Sequence, residues 1–159
     1  MRTRERRFTL IELLMVVTIV AVIAALSIPG LVSARKSANE GAALGSLRTL
    51  VTQQTLFRES DSDADDVLDY ATLTELGAEE LIDPLLAGGR KAGYQFTVQP
   101  SITSPEELWF ATADPILPTK TGDRYFATNH ENVVFYTTAS TILVPNDTCV
   151  IPPSALPLK

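Results

Sequence analysis

From Phe8 to Ile28 the chain runs for 21 residues with a single charge, Glu12. At a rise of ~1.5 Å per residue such a helix is about 32 Å long, which matches the ~30 Å hydrocarbon core of a bilayer. A secretory signal peptide usually has a shorter apolar region, of about 7 to 15 residues, before a small-residue cleavage site. Ala21, Ala24, Ala25 and Ser27 imitate such a site only in composition. The run is therefore read as a membrane span.

Charge is distributed unevenly around this run. The chain carries a formal net charge of −6, yet its first seven residues hold four Arg and one Glu. A basic tip precedes an acidic body, so no surface for nucleic acid is expected. Arg2, Arg4, Arg6 and Arg7 favour a cytoplasmic N-terminus, with the body on the other side, although Arg35 and Lys36 flank the far end. One Cys, Cys149, and one His, His130, exclude a disulfide framework and thiolate zinc clusters.

Glu12 is the residue this reading must explain. A carboxylate inside a hydrocarbon segment costs a few kcal/mol on insertion scales, less near the interface, and such groups usually have a partner or a function. A partner must be cationic. Snorkelling to the headgroups is the alternative.

Phe8-Thr9-Leu10-Ile11-Glu12-Leu13-Leu14, with a short basic leader before it and an unbroken apolar run to Pro29 after it, resembles the N-terminal signature of type IV pilins and of the related pseudopilins of type II secretion. The resemblance covers about 22 residues. It implies that a prepilin peptidase cuts between Arg7 and Phe8 and methylates the new amino terminus at Phe8. Glu12 matches the family's fifth mature residue, a glutamate used in assembly, and Pro29 its proline at position twenty-two. Arg7 stands where the family has Gly, a bulky charged residue in place of one suited to close backbone approach.

The resemblance implies a structural subunit of a pilus-like filament and no enzyme. Its partners would be copies of itself, other pilins, the inner membrane, the prepilin peptidase and an assembly platform. The subunit would wait in the inner membrane as a single-pass prepilin and then enter an extracellular or periplasmic filament. A type II secretion pseudopilin is the neighbouring reading, and a membrane-anchored periplasmic binding or enzymatic domain a more distant one.

The remaining sequence is read as an α+β body. The expected organisation is a leader at 1–7, a membrane and assembly helix at 8–29, an amphipathic continuation at 30–58 and a globular region at 59–159. Pro29 and Gly30 mark a helix break, or a bend where the helix leaves the hydrocarbon. Beyond them Leu44, Leu47 and Val51, with Leu47, Leu50 and Phe57, recur at helical spacing and predict one buried face. Gly41 and Gly45 suggest tight helix packing at most. Short helical turns are expected over 70–76 and 78–86, and strands over 94–98, 108–113, 124–128 and 132–137. The last two strands form a hairpin around Asn129-His130-Glu131, giving three or four antiparallel strands against the helix. The Pro-rich tail from Ala139 should be extended and partly ordered by docking.

Two further patterns point to chemistry. Asp61, Asp63, Asp65, Asp66 and Asp69 form an acidic loop whose oxygens suit calcium, but the EF-hand pattern fails, with Asp66 in place of Gly and Thr72 in place of Glu. No cofactor is expected beyond that candidate. His130, with Asp123, Glu131 and Cys149, supplies the residues of a minimal catalytic group. No nucleophile elbow, phosphate loop, dinucleotide Gly pattern or metal-binding His pair accompanies them.

Overall fold

A computed structural model describes residues 8–62 and 66–158. The chain divides after Arg35 into an N-terminal unit and a body that begins at Lys36. Helix α1, Leu10–Ser60, contributes to both. Pro29 and Gly30 do not end it, a correction to the expected break, because every residue between those bounds is helical. Proline at this point removes one backbone hydrogen bond, a cost of ~3 kcal/mol that the bonded turns on either side outweigh.

In the body, α1 buries Ala43, Leu47, Leu50 and Phe57, with Leu44 and Val51 packed partly against the same core. The stripe read from the sequence is the stripe that is buried. Gly41 and Gly45 behave otherwise: both are exposed, and a Cβ on either would meet nothing within 4 Å. Tight packing within this chain is not their role.

After α1 come α2, Leu73–Ala78, and α3, Pro84–Ala87. The Thr72 hydroxyl accepts from the Glu75 N–H and the Glu75 carboxylate accepts from the Thr72 N–H at 2.7 Å, so α2 starts on a reciprocal cap. The helical turn expected over 78–86 is interrupted, because Glu80 takes a left-handed φ of 55°. The chain restarts at Asp83, whose Oδ1 accepts from the N–H groups of Leu85 and Leu86 and whose Oδ2 pairs with Lys91 at 2.7 Å. Those contacts, the Lys91 ammonium first, hold the Asp83 carboxyl below the usual carboxylate range.

Six antiparallel strands follow in simple sequence order: β1 Arg90–Lys91, β2 Tyr94–Pro100, β3 Trp109–Pro115, β4 Tyr125–Asn129, β5 Val134–Thr137 and β6 Leu156–Pro157. The four strands expected are β2 to β5, and the two extra ones are two-residue edges with no periodicity to read. Ala92 and Gly93 join β1 to β2 with φ of 48° and 77°, the two positive values that a tight right-twisting hairpin demands, and Gly meets that demand without strain.

The sheet is covered on both faces. Tyr94, Phe96 and Val98 of β2, Trp109, Ala111 and Ala113 of β3 and Phe126 of β4 share a core with α1. On the opposite face Ala127 packs with Ile142 and Ala155, bordered by Tyr125, Phe135, Val144 and Ile151. The C-terminal segment supplies that second layer. Its anchors are polar as well: Ser101 Oγ donates to the Asp147 carbonyl at 2.7 Å, and Asn129 Nδ2 donates to the Cys149 carbonyl at 3.1 Å. Burial from two sides explains why β3 is buried along its length without alternation.

Two polar fastenings tie α1 to the rest of the body. Lys36 pairs with Asp123 at 3.0 Å, Glu40 accepts from the Asp123 N–H at 2.9 Å and pairs with Arg124 at 3.2 Å, and Asn39 donates to the Thr121 carbonyl at 2.9 Å. Gly122 sits directly on the Tyr94 ring, where any Cβ would overlap the phenol. At the other end the fully buried Gln54 side chain donates to the Ala71 carbonyl and accepts from the Ala71 N–H at 2.9 Å. Arg58 lies over the Tyr70 ring and donates to the Glu106 carbonyl at 2.7 Å.

Gln54→Leu keeps the volume but leaves both Ala71 backbone groups buried and unpaired, a loss of about 2–4 kcal/mol. Thermal unfolding of the full chain in detergent micelles is expected to show a fall in Tm of at least ~5 °C. Gln54→Glu, which keeps the acceptor but buries a carboxylate against the Ala71 carbonyl, should fall at least as far at neutral pH.

Candidate membrane and assembly segment

Phe8 is 71% exposed and stands two residues before the first helical residue, Leu10. Arg7, on the other side of the expected cleavage point, lies outside the described residues, as does the rest of the basic leader. Every residue from Phe8 to Arg35 is exposed. The stretch within α1 is long and apolar enough to cross a membrane.

Glu12 occupies the first turn of α1. Its backbone N–H donates to Thr9 Oγ1 at 3.3 Å, and the Leu13 N–H donates to the Thr9 carbonyl at 3.2 Å. Thr9 therefore caps the helix. Its position relative to Glu12 follows the Ser/Thr-x-x-Glu spacing of a capping box, the sequence signal that would have singled out Thr9. A carboxylate in the first turn also faces the unpaired N–H groups of the helix start, which favour negative charge by about 0.3–1 kcal/mol. The helix end lowers the cost of Glu12 but does not cancel the few kcal/mol of a buried charge.

Further along the helix, the Thr18 hydroxyl donates to the Met15 carbonyl at 2.8 Å and the Ser27 hydroxyl to the Ile23 carbonyl at 2.9 Å. These hydroxyls satisfy themselves on their own backbone. They present no free polar group to lipid.

The acidic loop is only partly described. Asp63 and Asp65 lie outside the described residues. Asp61 and Asp66 adopt left-handed φ values of 47° and 65°, and Asp69 donates its N–H to the Val67 carbonyl. Among the described residues no three His, Cys, Asp or Glu side chains gather as a metal-holding group.

The minimal catalytic group is dispersed among other duties. Asp123 is held by Lys36, Glu131 is exposed, and Cys149 is buried in the C-terminal layer, where burial pushes its thiol up. His130 Nδ1 is buried with no hydrogen-bond partner among the described residues. An open pocket of about 430 Å³ lined by Arg48, Thr52, Asn132 and Val134 does not include His130.

Thr9→Ala removes the cap of α1 and is expected to weaken its first turn by about 1 kcal/mol. Amide hydrogen exchange of residues 10–13 in detergent micelles should quicken about fivefold while that of residues 40–57 stays unchanged. Comparison of the chain with protein families, with curated proteins and with solved structures gives no match.

Proposed function

We propose that this chain is a structural subunit of a type IV pilus-like filament, held in the inner membrane with its N-terminus in the cytoplasm and assembled through the first half of α1. The observation that carries the reading is the position of Glu12: one carboxylate, in the first turn of an otherwise apolar and exposed helix that begins just after Phe8.

Removal of the leader before Phe8 would leave a free, cationic amino group four residues from Glu12. Within one helix start the two groups cannot both be neutralised and also define a neighbour. Between two copies they can. Glu12 of one subunit facing the amino terminus of the next converts two costly isolated charges into a pair in a medium of low dielectric, where leaving either alone costs about 3–5 kcal/mol. The pair sets the axial register, and packing of the apolar helix faces supplies the remaining adhesion. The α+β body is then the part displayed along the filament. A catalytic role for the body has less support, because Asp123 is held by Lys36, Cys149 is buried under the C-terminal layer, and the open pocket of the body does not include His130.

Glu12→Gln and Glu12→Ala should reduce sheared filament yield at least ~10-fold while membrane-fraction levels of the subunit stay at wild type. Filaments at wild-type yield from either variant would overturn the reading. Intact-mass and N-terminal analysis of assembled subunits should show an N-methylated Phe8. An N-terminus at Met1 or Arg2 in filaments would refute processing.

A further inference from the structure

Asp114 is a carboxylate that neither the helix nor the assembly reading uses. It sits on β3 opposite Gln95 of β2, and the strand alternation that turns Ala111 and Ala113 toward α1 turns Asp114 to the face covered by the C-terminal segment. Its Oδ1 is buried without a hydrogen-bond partner among the described residues. Over it runs the stretch 138–144, Thr-Ala-Ser-Thr-Ile-Leu-Val, which has no charged residue and meets the carboxylate through Thr141.

This stretch is loosely held between two firm anchors. Before it, β5 is paired to β4, and after it the Asp147 carbonyl accepts from Ser101 and Thr103. Within it Ile142 alone is buried, Leu143 is 81% exposed, and a cavity of about 370 Å³ lies among Thr141, Ile142, Pro152 and Ser154. Opening it would expose Ile142 and Val144 and leave the rest of the second layer on Ala127, Ala155 and Ile151.

We propose that residues 138–144 form a pH-sensitive strap, closed over Asp114 while that carboxyl holds its proton and released as the proton is lost. Among the described residues, burial and the Thr141 contact are what act on this carboxyl, with no cation among the causes. On β2 the group opposite is the neutral Gln95, on β1 the Arg90 cation donates its Nε–H to Gln95 Oε1 at 2.9 Å, on β4 Tyr125 borders the same layer, and the strap itself is uncharged. Burial pushes the Asp114 carboxyl up to about 6, against a weaker opposing contact from Thr141. With the closed value above that of an open, hydrated carboxyl, the strap's stability is fully present below the ordinary carboxylate range. It is lost as pH rises through about 6.

Hydrogen exchange of the full chain in detergent micelles, at pH 5 and pH 7.5 and corrected for the chemical exchange rate, tests this. Opening of residues 139–144 should increase about tenfold between the two in the wild type, with β3 amides unchanged. Asp114→Asn, which cannot ionise, should hold the strap closed at both. A carbon-13 carboxyl titration of the wild-type chain should place Asp114 near 6. The proposal fails if the strap exchanges equally at both pH values, if Asp114→Asn shows the same response, if β3 loosens in step, or if Asp114 titrates as an ordinary carboxyl.

Discussion

An apolar helix surface left exposed along its length is the constraint from which the rest follows. Each residue from Phe8 to Arg35 is exposed, and Leu10, Ile11, Leu13, Leu14, Met15 and Val16 each leave more than half of their surface open. Soluble monomers rarely expose contiguous apolar patches beyond a few hundred Å². At about 25 cal/mol per Å², the penalty in water far exceeds the 5–15 kcal/mol that holds a domain folded. The segment is long and apolar enough to cross a membrane, and lipid or another apolar helix would relieve that penalty. Backbone polarity is no obstacle, since a helix satisfies its own N–H and C=O groups. Only Glu12 resists both environments.

The body solves a different problem by more ordinary means. A single helix against a sheet would leave one sheet face wet. Here the C-terminal segment covers that face, so β3 is sandwiched, and a small body gains a second hydrophobic layer without a second helix. The segment is held less by area than by polar fastening. Asn129 and Ser101 bind its backbone carbonyls where Cys149 and Asp147 pass over the sheet. Prolines at 145, 152 and 153 suit such a path, because an extended covering strip has few backbone donors to satisfy.

How much of this was legible in the sequence depends on whether the signal was periodic. The long helix, its buried stripe at Leu47, Leu50 and Phe57 and most of the longer strands came from spacing, because burial on one face imposes a period, while β3 came from its apolar, β-prone run. β1 and β6 are too short to show one. Gln54 was invisible for a different reason. A glutamine on a helix reads as solvent-facing, and only the folded position of Ala71 turns it into a buried two-point bracket. Asp114 was hidden because its strand reads as apolar, and nothing local says that a tail returns over it. At the candidate site, Glu12 stood out by charge alone, whereas Thr9 needed the cap spacing to be noticed.

The two fastenings of α1 within the body bear on what assembly would ask of this fold. The ion pairs of Lys36 and Glu40 hold the connection before β4, and the bracket at Gln54 with the contacts of Arg58 holds the segment after the helix. Between them Ala43, Leu47 and Leu50 are fully buried. The helix from Lys36 to Ser60 is thus fixed to the sheet at both ends and along its length. Under the proposed assembly any pull on the first half of α1 enters the body through this stretch. The ion pair at Lys36 is partly exposed and contributes little on its own, at most about 1 kcal/mol. The burden falls on the apolar stripe and on Gln54, whose side chain holds both backbone groups of Ala71. Under that reading, load would pass from helix to sheet through this stretch, while the proposed strap over Asp114 lies on the opposite sheet face, away from it.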